Sequence, residues 1–162
     1  ENTCHNPEHI ITGIAGKKDF VAINIEKDMM NSEIGFGRKV LQVFEENGIS
    51  FEHMPSGIDT MTIVVHKDEF IDKEQKVLAE LHRAVQPDSI DLEADIALIA
   101  VVGRGMRNNS GIASNILGAL AKAKINIKMI DQGSSELNII IGVRNRYFED
   151  AIRAIYDLFI QK

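Results

Sequence analysis

A chain that repeats itself must fold as two similar units, and this one of 162 residues does so at an offset of 76. Without a gap, Ile23 falls on Ile99, Met30 on Met106, Gly35 on Gly111, Ile49 on Ile125, Gly57 on Gly133 and Ile63 on Ile139. Val40/Ile116, Phe44/Leu120 and Ile25/Val101 match in type. Apolar matches alone are common between any two segments that mix strands and helices. Two glycine pairs and a methionine pair in one register are not, and they specify an internal duplication.

Each copy carries the same succession of elements. Residues 20–26 and 96–102 are β-rich runs that end in polar, glycine-containing loops. Phe36, Val40, Val43 and Phe44 then fall on one helical face, as do Ile112, Ile116, Leu117 and Leu120, which predicts helices over 36–47 and 112–124. Gly48 marks a helix stop. Second strands are expected at 49–54 and 125–130 and third strands at 61–65 and 137–143. Glycines 57 and 133 sit in the hairpins between them. Second helices follow near 70–84 and 147–160, with Phe70, Val77, Leu78 and Leu81, and Phe148, Ile152, Ile155 and Phe159, as their apolar residues.

The first copy closes with a fourth strand at 89–95, completing β-α-β-β-α-β. The second ends on its helix and lacks that strand, while the run at 10–15 precedes the first copy unassigned. The reading that uses every segment inserts the first unit in the second. The expected class is therefore α+β, two ferredoxin-like βαββαβ units: a tail at 1–9, the first unit at 17–93, and the second at 10–16 plus 94–162. Helices on one sheet face leave the other face and the edge strands free, so self-association is expected.

Composition excludes several function classes. Eighteen basic and twenty-four acidic residues give a net charge of −6, contrary to a protein whose main partner is nucleic acid. The apolar run at 96–102 is far shorter than a bilayer span and no signal peptide opens the chain, so no membrane partner is expected. A single cysteine, Cys4, excludes an internal disulfide and fits a reducing cytoplasm. A start at Glu1 rather than Met is expected of a piece of something longer.

The loop from the first strand into the first helix is the place for a small molecule in both copies. It spans 28–37, with Met30, Ser32, Gly35, Phe36 and Gly37, and 104–113 in the second copy. A helix N-terminus offers unpaired N–H groups and the positive end of its dipole, which suits a carboxylate, and small residues allow close approach. An N-cap with a glycine for tight packing explains the same residues without a ligand. At matched positions of the second strands stand Glu52 and Lys128. The glutamate suits a ligand ammonium group and the lysine opposes it; a solvated face or a weak Glu52–Lys128 ion pair is the alternative.

Other motifs fail. Gly103-Arg-Gly105 starts a dinucleotide fingerprint, but Asn108 holds the third glycine position. Gly13-Ile-Ala-Gly16-Lys17-Lys18 is no phosphate loop, since Lys18 stands where a hydroxyl is needed. Cys4, His5 and His9 lack a fourth ligand, so no metal is expected. No nucleophile pairs with a base, so no catalytic residue is expected, and no cofactor within this chain. The strands lack the stacked aromatics of an RNA-binding module on the same layout.

Ile11-Thr-Gly-Ile-Ala15, Gly35-Phe-Gly-Arg-Lys-Val40, Asn47-Gly-Ile-Ser50, Val101-Val-Gly-Arg-Gly-Met106, Asn126-Ile-Lys-Met-Ile130 and Gln132-Gly-Ser-Ser-Glu-Leu-Asn138 together resemble the regulatory region of aspartokinases. That region is a tandem of ACT domains, small βαββαβ amino-acid sensors, with the first inserted in the second. The resemblance covers residues 10–162. It implies a parent enzyme that phosphorylates the side-chain carboxylate of aspartate with ATP and Mg, through a kinase domain that is not in this chain. It implies feedback inhibition by lysine or threonine and assembly as a homodimer or higher oligomer. The effector's carboxylate and amine would lie around Met30, Ser32, Gly35, Phe36 and Gly37, with Glu52 and Ser56 reading its side chain. Backbone at Asn126 and Ile127 would join from a partner chain. The alternatives are a freestanding regulatory subunit and a dimerisation module without a ligand.

Overall fold

A computed structural model describes residues 11–108, 110–135 and 137–160. The candidate metal residues Cys4, His5 and His9 lie outside them. Among the described residues no group of three His, Cys, Asp or Glu side chains is placed to hold a metal, and no helix is long and apolar enough to cross a membrane.

Among the described residues six strands and five α-helices follow one another as β1 (Gly13–Glu26), α1 (Phe36–Glu46), β2 (Phe51–His53), β3 (Thr60–His66), α2 (Lys67–Phe70), α3 (Glu74–Val85), β4 (Ser89–Val102), α4 (Ile112–Lys122), β5 (Met129–Asp131), β6 (Asn138–Arg144) and α5 (Phe148–Ile160). The chain divides into two compact units, Asp19–Asp95 and the remainder. Within Asp19–Asp95 the strands lie in the order β2-β3-β1-β4, and in the other unit β5-β6-β4-β1. Both are the same split βαβ order, so the fold is the expected α+β one, with one ferredoxin-like unit inserted in the other. The Thr12 N–H and hydroxyl both donate to the Val102 carbonyl, at 2.8 and 3.1 Å, beside the strand that fills the second unit's vacancy.

The expected separate strands at 10–15 and 20–26, and at 89–95 and 96–102, are instead two continuous ones, β1 and β4. No turn residue interrupts either; the units change at Asp19 (φ 69°) and Asp95 (φ 58°), both left-handed, a conformation Asp tolerates better than most residues. The second strands are shorter than 49–54 and 125–130 because their first residues close helices. The Ile49 N–H donates to the Phe44 carbonyl (2.9 Å) and Gly48 to Glu45 (3.0 Å). Ile125 bonds Leu120 and Lys124 bonds Ala121, both at 3.0 Å. These are matched Schellman caps, and they take amides a strand would need. The expected helix at 70–84 breaks into α2, a 3₁₀ turn and α3, and the His66 Nδ1 caps α2 by accepting from the Asp68 N–H.

The repeat also contains a gap the sequence match concealed. Ile23 pairs with Ile63, but Ile99 pairs with Ile141 rather than Ile139. Two extra residues therefore lie in the second hairpin, which joins β5 to β6. A two-residue slip leaves every side chain on its original sheet face, so alternating isoleucines match equally well before and after it.

In Asp19–Asp95 the core comprises Val21, Ile23 and Ile25 of β1, Ile63 and Val65 of β3, and Phe36, Val40, Phe44, Val77 and Leu81 of the helices. In the other unit Ile99, Val101, Ile112, Ile116, Leu120, Ile139, Ile141, Val143 and Ile155 hold the corresponding places. Phe20, Ala22 and Val64, which alternate along the strands of Asp19–Asp95 with its core residues, are buried as well. Edge strands keep exposed apolar residues: Phe51 on β2 is 46% accessible and Ile130 on β5 45%.

Gly48 and Lys124 occupy the same left-handed cap, at φ 64° and 58°, and only glycine holds it without a Cβ clash. Lys124→Gly is therefore expected to raise stability by about 1 kcal/mol. The check is a shifted urea midpoint with an unchanged slope.

Candidate effector site

The loop between β1 and α1 is built from successive tight turns. The Met30 N–H donates to the Lys27 carbonyl (3.1 Å), Ser32 to Met29 (3.0 Å), Glu33 to Met30 (3.1 Å) and Phe36 to Glu33 (3.2 Å). At its base the Lys27 N–H donates to the Asp59 carbonyl at 3.0 Å, which joins the loop to the β2–β3 hairpin. The Asp28 N–H donates to the Asp88 carboxylate at 2.7 Å. α1 then begins at Gly35, whose φ of 80° is mirrored by 86° at Gly111 before α4. Neither cap offers a side-chain oxygen to the helix amides. The Gly35 carbonyl takes the first helical bond, from Lys39 at 3.0 Å, so the amides of Gly37 and Arg38 have no intrahelical acceptor. Those amides and the helix dipole form an anion-attracting end.

All seven candidates of the first copy fall within Asp19–Asp95. Met30 and Phe36 bury their side chains in its core, so only their backbone is on offer to a ligand. Ser32 is exposed. Gly37 is helical, and a Cβ there would sit 3.6 Å from the Met61 side chain, an ordinary contact. Glu52 lies exposed on β2, and Ser56 lies exposed beside Met61, its bridge partner across the hairpin. Gly57 and Gly133 have ordinary backbone angles, contrary to the usual reason for a hairpin glycine. A Cβ at Gly57 would meet Thr60 Oγ1 at 2.7 Å, whereas Gly133 has open space. Asn126 and Ile127 belong to the other unit, in the stretch before β5; Asn126 is exposed and Ile127 packs partly against that core.

Charge at the loop was not anticipated from the sequence. The Glu33 carboxylate accepts from Lys27 Nζ at 2.6 Å and Lys39 Nζ at 3.1 Å. Lys27 also donates to the Val85 carbonyl at the end of α3 (2.6 Å) and lies 5.8 Å from the centre of the Phe36 ring. The Lys27 ammonium, and after it that of Lys39, hold the Glu33 carboxyl below the usual carboxylate range, against the opposing effect of partial burial. The repeat carried a usable signal: Lys27, Glu33 and Lys39 match Gly103, Asn109 and Asn115, so the charges belong to one copy only.

A separate open groove of about 1220 Å³ runs along α1 and β2, lined by Leu41, Phe44, Glu46, Ile49 and Phe51 among others. None of the candidate effector residues lines it. Its place beside an exposed edge strand suits protein contact better than capture of a small polar ligand.

Residues 99–159 match the family model of the ACT domain. Aspartokinase 3 of Bacillus subtilis is 41% identical over 150 residues, 92% of this chain and 33% of that protein. Over nearly its whole length the chain is thus similar to the regulatory ACT regions of aspartokinases. The solved aspartate kinase of Clostridium acetobutylicum superposes with a TM-score of 0.91 at 49% identity, over 94% of this chain and 35% of that one. The regulatory subunit of aspartate kinase from Thermus flavus gives 0.75 at 26%, over 93% and 99%. The chain thus spans about a third of the length of the curated aspartokinases of Bacillus subtilis and Pseudomonas putida that it matches.

Two outcomes test this geometry. Gly35→Ala should cost about 1–2 kcal/mol in urea unfolding, because it forces a Cβ into the left-handed region, while Gly37→Ala should leave stability nearly unchanged. Since the Glu33 pKa is lowered in the fold, its stabilising contribution is present above the ordinary Glu range and is lost as pH falls through the folded value, below 4.5. Chemical unfolding between pH 3 and 6 should therefore show a shallower acid decline for Glu33→Gln than for the parent chain.

Proposed function

We propose that this chain senses an amino acid for feedback control of an aspartate kinase, with lysine or threonine as the effector. The unit at 17–93 is the effector-binding ACT domain, and 10–16 plus 94–162 the second. The observation that carries the reading is the left-handed entry to α1, which aims backbone amides at the loop the family resemblance assigns to the effector's carboxylate and amine. Met30, Ser32, Gly35, Phe36 and Gly37 would hold that end largely through backbone. Glu52 and Ser56 would face the side chain, and the carboxylate at Glu52 favours the ammonium of lysine. Asn126 and Ile127 of a partner chain would complete the site. The whole enzyme, acting in the cytoplasm, would transfer a phosphoryl group from ATP, with Mg, to the aspartate side chain.

Inhibition requires the effector to bind one arrangement of the subunits better than another, since equal affinity shifts nothing. A site completed by two chains meets that requirement, because its halves meet in one arrangement only. The edge strand β2, its exposed Phe51 and the adjoining groove support assembly as a homodimer or larger oligomer. A second reading, a freestanding regulatory subunit, draws on the Thermus flavus regulatory subunit, matched over nearly its whole length.

Thermal unfolding of the chain with lysine, threonine, methionine and lysine plus threonine tests the reading. An effector at 100 times its Kd should add about 2.7 kcal/mol, several degrees for units of this size. Glu52→Ala should abolish most of a lysine shift and spare a threonine shift. No shift with any of the four additions would leave a dimerisation module without a ligand.

A further inference from the structure

We infer that Glu33 is a positioning residue, clamping the β1–α1 loop in the shape that presents the first amides of α1. The role rests on the effector reading given above.

Beyond its backbone turns and the Asp28 N–H bond to Asp88, few side chains hold the loop in shape. Met30 is its one core side chain between Asp28 and Gly35, while Ile34 is 97% exposed and Met29 63%. Met29 (φ 60°) and Gly35 (φ 80°) are both left-handed, so the chain turns sharply at each end of the segment. Between them Glu33 reaches two elements at once. One carboxylate oxygen is 2.6 Å from Lys27 Nζ at the end of β1, and the other is 3.1 Å from Lys39 Nζ in the first turn of α1. Lys27 is itself fixed by the Val85 carbonyl at the C-terminal end of α3, where a cation is favoured. The clamp thus ties the loop to β1, α1 and α3 through one side chain. Both its lysines are spent on Glu33, so the ligand-facing end of α1 keeps its positive character in the amides rather than in a mobile ammonium group.

The second copy lacks the device, with Gly103, Asn109 and Asn115 at the matched positions. A charge triad present only in the unit assigned to the effector is what a site-specific clamp predicts, and a general requirement of the fold does not.

The test measures lysine and threonine affinity by calorimetry, and amide exchange over residues 28–38, for the parent chain, Glu33→Gln, Lys39→Met, Lys39→Arg and the Glu33→Gln/Lys39→Met double variant. Glu33→Gln should weaken the bound amino acid at least about tenfold and speed loop exchange by a similar factor, with other segments unaffected. Lys39→Arg should bind like the parent and Lys39→Met should not. The double variant should bind no worse than Glu33→Gln alone, since one interaction is lost in both. Parent-like affinity or parent-like loop exchange in Glu33→Gln overturns the clamp. If the parent binds neither amino acid the sensing reading fails, and loop exchange alone then decides for or against the clamp. Should Glu33→Gln not fold, Lys39→Met, altered at a partly exposed end, supplies the same comparison.

Discussion

A single left-handed residue at the entry to the first helix of each unit governs how the rest of the site is formed. With φ near 80° at Gly35 and 86° at Gly111, the chain reverses sharply enough for a buried methionine, Met30 or Met106, to anchor the preceding loop. The helix then begins without a side-chain cap. A serine or aspartate there would satisfy an amide internally. Glycine leaves it unsatisfied, and an unsatisfied helix N-terminus is a receptor for a carboxylate. The same residue thus serves the fold by its backbone and the site by what it omits.

The far end of α1 obeys a complementary rule. There the orphan carbonyls are satisfied within the chain: Ile49 and Gly48 close the Schellman cap, the Asn47 amide donates to the Val43 carbonyl and Glu80, and Lys73 Nζ donates to the Asn47 carbonyl at 2.7 Å. One end of the helix is sealed by its own sequence and the other is left open. That asymmetry is what makes the β1–α1 loop a candidate site, and the seal explains why β2 starts late, since Ile49 belongs to it.

Much of this was legible in the sequence. Gly35 over Gly111 and Met30 over Met106 marked the loops, the periodic apolar residues marked four helical segments, and the missing fourth strand showed the insertion. What stayed hidden was hidden for identifiable reasons. The two-residue slip between Ile139 and Ile141 preserves side-chain parity, so no pattern of in and out reveals it. The continuity of β1 and β4 depends on aspartates adopting a positive φ, which composition does not signal. The Lys27–Glu33–Lys39 cluster joins residues six apart, a spacing off the helical i+3/i+4 contacts and too long to touch along a strand, because the loop between them is built of turns.

The two copies have diverged where their backbones are most alike. Both loops end in the same left-handed glycine and both bury the same methionine, so the shape needed to receive a carboxylate is duplicated. Charge is not: the first copy carries Lys27, Glu33, Lys39 and Glu52 where the second carries Gly103, Asn109, Asn115 and Lys128. A backbone seat that recognises the part common to all amino acids tolerates duplication unchanged. Charged groups can discriminate among side chains by favouring one ligand and opposing another, and surface charges of this kind can change without disturbing the core. Divergence in such groups, beside the two extra residues of the second hairpin, leaves two units of one architecture with different charges around the same backbone seat.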